Sequence, residues 1–177
     1  MNLPNKLTVI RAILIIPFCI VTLTGCAGEA SNWISLVIFC VASITDFLDG
    51  MIARKNNLVT NFGKFMDPIA DKLLVCSAFI CLMNKGVIPA WVVIVVISRE
   101  FVVSGFRLIA SDNGVVIAAS YFGKFKTVSQ MAMIIMMLSE IEILKLPAVI
   151  VMYIAVVLTV VSLVDYVYKN RKILSDD

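Results

Sequence analysis

Four aspartates, Asp46, Asp49, Asp67 and Asp71, fall within one short stretch of a chain that is otherwise nearly all apolar. Asp46 and Asp49 are three residues apart, and Asp67 and Asp71 four apart. On helices, both spacings put a pair on one face. A carboxylate near hydrocarbon costs about 2.5–3.5 kcal/mol on insertion scales, so four together call for a positive, multivalent partner. Oxygen ligands without His or Cys suit Mg²⁺, Mn²⁺ or Ca²⁺ rather than Zn²⁺. Four carboxylates exceed the need of one Mg²⁺ and point to a two-metal site. Small residues lie among the acids. Gly50, Ala53 and Gly63 leave room for close approach of backbone or ligand. Arg54 adds a fork-shaped donor suited to phosphate. Cation-binding carboxylates, an arginine and open access together indicate a diphosphate substrate.

The elements that must carry these residues are membrane-like. The chain has 177 residues, 61% of them hydrophobic, against roughly 45–50% in soluble domains. Six apolar stretches, near 7–25, 33–53, 66–84, 88–110, 125–143 and 147–168, approach the 20 or so residues a spanning helix needs. Gly25 and Gly28, Arg54–Asn57, Asn84–Gly86, Ser111–Gly114 and Lys145–Pro147 punctuate them. The expected fold is therefore all-α, a polytopic bundle of six transmembrane helices forming a single domain, 1–177. The first stretch contains Arg11 and ends in no A-x-A site, so a retained helix is expected rather than a cleaved signal. The short connection from Arg54 to Gly63 makes helices two and three antiparallel neighbours, bringing the four carboxylates together.

Basic residues set the orientation. Lys6, Arg54, Lys55, Lys64, Lys124, Lys126, Lys169, Arg171 and Lys172 fall on one side, and only Lys85 and Lys145 on the other, beside Glu29, Glu140 and Glu142. Both termini and the aspartates are expected on the cytoplasmic side. Lys169, Arg171 and Lys172 suit lipid headgroups. A net charge of +3 is too small to indicate nucleic acid. There is no histidine, which leaves carboxylates, Lys, Tyr and Cys for acid–base work. The five cysteines form no C-x-x-C pair and suit buried packing. A divalent-cation channel or transporter is the competing reading of intramembrane acids. It is disfavoured because the acids lie near one interface beside an arginine and no inverted-repeat halves are visible.

The pattern D-x2-D-G-x2-A-R-x8-G-x3-D-x3-D is met at every fixed position, by Asp46, Asp49, Gly50, Ala53, Arg54, Gly63, Asp67 and Asp71. It resembles the signature of the CDP-alcohol phosphotransferase family. The resemblance implies transfer of a phosphatidyl or phosphoalcohol group from a CDP-linked donor to an acceptor hydroxyl, with loss of CMP. It implies two ions, Mg²⁺ or Mn²⁺. Asp46, Asp49 and Asp67 would hold one, and Asp46, Asp67 and Asp71 would approach the second. Asp71 would take the acceptor proton. Asp49, Gly50, Ala53, Arg54, Thr60 and Gly63 would meet the CDP portion. It also implies a homodimer.

Two further stretches resemble bacterial members of that family that use CDP-diacylglycerol and glycerol 3-phosphate. One is Asn2-Leu3-Pro4-Asn5-Lys6-Leu7-Thr8 with Arg11, where Asn5 and Thr8 are spaced to face one way and could touch the nucleotide. A polar helix entry would also account for them. The other runs from Arg99-Glu100-Phe101 through Ser104-Gly105-Phe106-Arg107 to Gly123-Lys124-Phe125-Lys126-Thr127. Arg107, Lys124 and Lys126 supply the positive charge that a phosphate dianion requires. Arg99 and Glu100 lie deeper, where they could instead satisfy charge within the bundle. A related acceptor, such as inositol phosphate, phosphatidylglycerol or serine, would leave the aspartate set unchanged. The implied location is a bacterial cell membrane.

Overall fold

The computed structural model describes residues 3–55, 61–112 and 120–171, with side chains described except at 3–4, 47–55, 61–62, 64–65, 68 and 111–112. The described residues form six α-helices and no strand: α1 Leu3–Thr24, α2 Ser31–Lys55, α3 Asn61–Asn84, α4 Ala90–Asp112, α5 Tyr121–Ser139 and α6 Glu142–Asn170. A single 3₁₀ turn, Gly28–Ala30, precedes α2. The helix ends do not coincide with the ends of the apolar stretches, and at two of them local backbone chemistry sets the boundary. Ser120 caps α5 by accepting from the Gly123 amide at 3.1 Å, well before the apolar run begins. Gly25 ends α1 in the left-handed region (φ 62°), a conformation open to a residue without Cβ.

The break between α5 and α6 differs from expectation. Lys145 and Pro147 lie inside α6, and the chain turns at Glu140, the one non-glycine residue with positive φ (50°) among those described. Pro147, the sixth residue of α6, lacks the amide that would donate to the Ile143 carbonyl, so α6 forgoes one backbone bond near its start. The Glu140 side chain pairs with Lys85 at 2.8 Å, which ties this turn to the end of α3.

Side-chain contacts fix the helix directions. Thr22 donates to Ser35 (2.8 Å) while Arg11 pairs with Asp46, so α1 and α2 are antiparallel. Thr8 meets Asp67 and Cys19 meets Cys81, so α1 and α3 run parallel. It follows that α2 and α3 are antiparallel, as expected. They touch each other, but both pack more extensively on α1. In the second half, Trp91–Tyr153, Arg99–Ser162 and Phe106–Tyr166 set α4 parallel to α6, and α5 returns against α6. The core joins the two halves through Phe18, Phe39, Leu74, Phe79, Leu82, Val92, Val96, Met133, Ile134 and Leu138, all essentially without exposure.

Three helical segments are long and apolar enough to cross a membrane: Asn5–Thr24, Gly28–Asp46 and Glu142–Asn170. The other three helices fall short of that simple criterion. Asp67, Asp71 and Lys72 interrupt α3, Arg99, Glu100 and Arg107 interrupt α4, and Lys124 and Lys126 open α5. All six helices nevertheless present large apolar side chains outward, among them Ile13, Val37, Leu73, Ile94, Phe125 and Val157. An outer surface of this kind belongs in a membrane rather than in water.

Candidate functional site

The site is built where the start of α1, the end of α2 and the start of α3 meet. Arg11 is a charged residue in an apolar helix, and an unpaired guanidinium there would be costly. It is completely buried, and its Nη1 donates to Oδ1 of Asp46, whose side chain is 37% exposed. One turn earlier Thr8, also fully buried, donates to Oδ1 of Asp67 at 2.6 Å. Asn5, a further turn back, is buried too. Thus α1 wedges a polar stripe, Asn5, Thr8 and Arg11, against the acids of both neighbouring helices. Gly63 is buried at the start of α3, and Ala70 has no exposure beside Asp71.

Asp71 is half-buried and lies in the electrostatic field of Lys72, Glu100, Arg11 and Lys126. The carboxylate therefore faces charges from α1, α4 and α5 as well as from its own helix. Lys126 is 4% exposed, and its Nζ pairs with Oε1 of Glu100. The same oxygen accepts from Arg99 Nη1 at 3.2 Å, and Arg99 Nε donates to Ser162 Oγ of α6 at 3.2 Å.

The sequence-predicted residues thus divide. Asp46, Asp67, Asp71, Asn5, Thr8 and Gly63 gather at one end of the bundle. Lys126 reaches the same end, but as a buried partner of Glu100 rather than a free cation. Arg107 is exposed near the end of α4, and Lys124 is exposed with its ammonium over the Tyr121 ring, 5.4 Å from the centroid. Asp49, Gly50, Ala53 and Arg54 lie on the last turns of α2, with side chains outside those described, and Thr60 lies outside the described residues. The sequence reading did not pair Arg11 with Asp46 or Lys126 with Glu100. The signal available was a lone charge of each sign in an otherwise apolar helix, which demands a counter-charge but does not say on which helix.

Among the described residues no three acids converge into an ion cage. The donor chemistry still fits a hard divalent cation, since Asp46, Asp67 and Asp71 offer oxygen alone. Arg11 and Thr8 each engage one oxygen of a candidate ligand, the kind of outer contact that fixes a ligand's direction.

At the far end both lysines are paired, and Glu29 leaves that end slightly negative. Lys85 meets Asn32 and Glu140, and Lys145 meets Glu142 at 2.5 Å. The uncompensated positive charge is left at the aspartate end, where an anionic substrate would be attracted.

The family model described as CDP-alcohol phosphatidyltransferase matches residues 1–161. The chain is 44% identical to a Bacillus subtilis protein named CDP-diacylglycerol–glycerol-3-phosphate 3-phosphatidyltransferase, over 98% of this chain and 97% of that protein. Proteins of the same name from Rickettsia bellii and Haemophilus influenzae are 42% and 36% identical. They align over 97% and 99% of this chain and 96% and 97% of their own lengths.

Proposed function

The chain belongs to the CDP-alcohol phosphatidyltransferase family, and from that premise we propose that it transfers the phosphatidyl group of CDP-diacylglycerol to sn-glycerol 3-phosphate, forming phosphatidylglycerophosphate and CMP. The observation that carries this reading is the near-full-length similarity to relatives named for that reaction, in a chain that meets every fixed position of the aspartate motif.

In this reading Asp71 accepts the proton of the acceptor hydroxyl. The freed oxygen attacks the phosphorus that bears the diacylglycerol. The bond from that phosphorus to the CMP oxygen breaks, and CMP leaves with the electron pair. Asp46, Asp49, Asp67 and Asp71 would hold Mg²⁺ or Mn²⁺, which supplies charge neutralisation of the diphosphate and of departing CMP. Asn5, Thr8, Gly50, Ala53, Arg54, Thr60 and Gly63 receive the CDP portion. Arg11 and Thr8 keep Asp46 and Asp67 aimed, and Thr8 has this second task because its hydroxyl is already committed to Asp67. Arg107, Lys124 and Lys126 receive the acceptor phosphate.

The proposal includes six membrane-spanning helices, since apolar side chains face outward on every helix. It places both termini and the aspartates on the cytoplasmic side of a bacterial cell membrane, in keeping with the basic-residue asymmetry. The protein acts as a homodimer in that membrane, in contact with its lipids.

The test is CMP release by purified protein with CDP-diacylglycerol and Mg²⁺, offering glycerol 3-phosphate, inositol 1-phosphate, serine or phosphatidylglycerol in turn. Release with glycerol 3-phosphate alone is expected. Release only with another acceptor would overturn the acceptor assignment.

A further inference from the structure

Helices α4 and α5 stand side by side without direct backbone packing. Among the described residues the link across their gap is polar: Lys126 of α5 reaches Glu100 of α4, and the Arg99 guanidinium lies against Gly123. A methyl group built on Gly123 would touch Arg99 Nη2 at 3.5 Å. One oxygen of Glu100 gathers both cations, and Arg99 is anchored in turn on Ser162 of α6. The side chains of Arg99, Glu100 and Lys126 are 11%, 14% and 4% exposed, so none of these charges is held by solvent. Lys126 also acts on Asp71 across the gap to α3. Arg99, Glu100 and Lys126, with Asp71 and with Lys72 acting on both carboxylates, therefore form one mostly buried charge cluster on α3, α4 and α5, and Glu100 is its hub.

We propose that Glu100 is a positioning residue that holds Lys126 across the α4–α5 gap so that its ammonium can meet the phosphate of the acceptor. This rests on the acceptor reading given above. A lysine has a flexible four-carbon stem and a point charge, so its direction must come from a partner. The other carboxylate that acts on Lys126 among the described residues is Asp71, and without Glu100 the ammonium would swing toward it. The acceptor would then find the cation misplaced and Asp71 engaged, so kcat would fall as well, while the residues that receive the CDP portion, on α1, α2 and the start of α3, would keep their contacts.

The test is a double-mutant cycle of Glu100→Gln and Lys126→Met in the full chain, reading KM for glycerol 3-phosphate and for CDP-diacylglycerol separately. Glu100→Gln should raise KM for glycerol 3-phosphate about tenfold, within the range for partners in one ion-pair network. KM for CDP-diacylglycerol should change less than about twofold. Added to Lys126→Met, it should cause no further loss, because its effect runs through Lys126. Equal changes in both KM values, or effects that multiply, would overturn the proposal. If Glu100→Gln does not fold, Glu100→Asp is measured in its place, with the same split expected. Failure of both to fold would make the residue purely structural and would also overturn it. If wild-type protein instead uses another acceptor, the acceptor reading fails, and the same cycle read on that acceptor still decides the role of Glu100.

Discussion

Replacing Arg11 with Met leaves Asp46 without the guanidinium that now neutralises it. Breaking a buried ion pair by removing one partner costs about 3–5 kcal/mol. Arg11 has no exposure, but more than a third of the Asp46 side chain is open, so the low end, about 3 kcal/mol, applies. For a chain of this size 1 kcal/mol shifts the melting temperature by about 2–4 °C, giving a loss of about 6–12 °C. The assay is thermal unfolding in detergent, followed by the fluorescence of Trp33 and Trp91. It should be run once with chelator and once with excess Mg²⁺. A cation bound at the aspartates would take over part of the lost charge, so Mg²⁺ should recover a substantial part of the deficit. Arg11→Lys should lose less, because it keeps the charge and gives up only the fork geometry. A melting temperature within about 1 °C of wild type would refute the reasoning about the pair. A deficit identical with and without Mg²⁺ would refute the placing of a cation at Asp46.

Three further outcomes are expected. Asp71→Asn should abolish CMP release while leaving the fold intact by circular dichroism, and wild-type turnover would remove Asp71 from proton transfer. Arg107→Ala should raise KM for glycerol 3-phosphate about tenfold, the loss of a charged hydrogen bond, with a smaller change for CDP-diacylglycerol. Equal changes would take Arg107 out of the acceptor pocket. EDTA should silence the protein and Mg²⁺ or Mn²⁺ should restore it, whereas activity unchanged in EDTA would exclude a metal role for the aspartates.

The helices were legible in the sequence because each carries a long apolar run. Their ends were less so. The run near 125–143 crosses the true break at Glu140, since Ile141 and Ile143 are as apolar as the helix they follow. The turn there is fixed instead by a left-handed backbone that Lys85, more than fifty residues away, holds in place. The aspartates were legible because carboxylates at helical spacing stand out against a lipid-like background. The wedge of α1 was not. A hairpin of α2 and α3 satisfies the spacing on its own, and only the three-dimensional packing shows Arg11 and Thr8 reaching both helices. The reading of Lys126 as part of an acceptor-phosphate pocket was likewise made without its buried partner Glu100. Positive charge near a membrane surface reads the same in sequence whether it faces solvent or a buried carboxylate.

The most direct test of the central claim follows the acceptor itself into the product. Purified protein is given radiolabelled glycerol 3-phosphate, CDP-diacylglycerol and Mg²⁺, and label in the chloroform-soluble phase is counted against CMP released. The account predicts one labelled lipid per CMP and no labelled lipid when CDP-diacylglycerol is omitted. Release of CMP with all label left in the aqueous phase would contradict it.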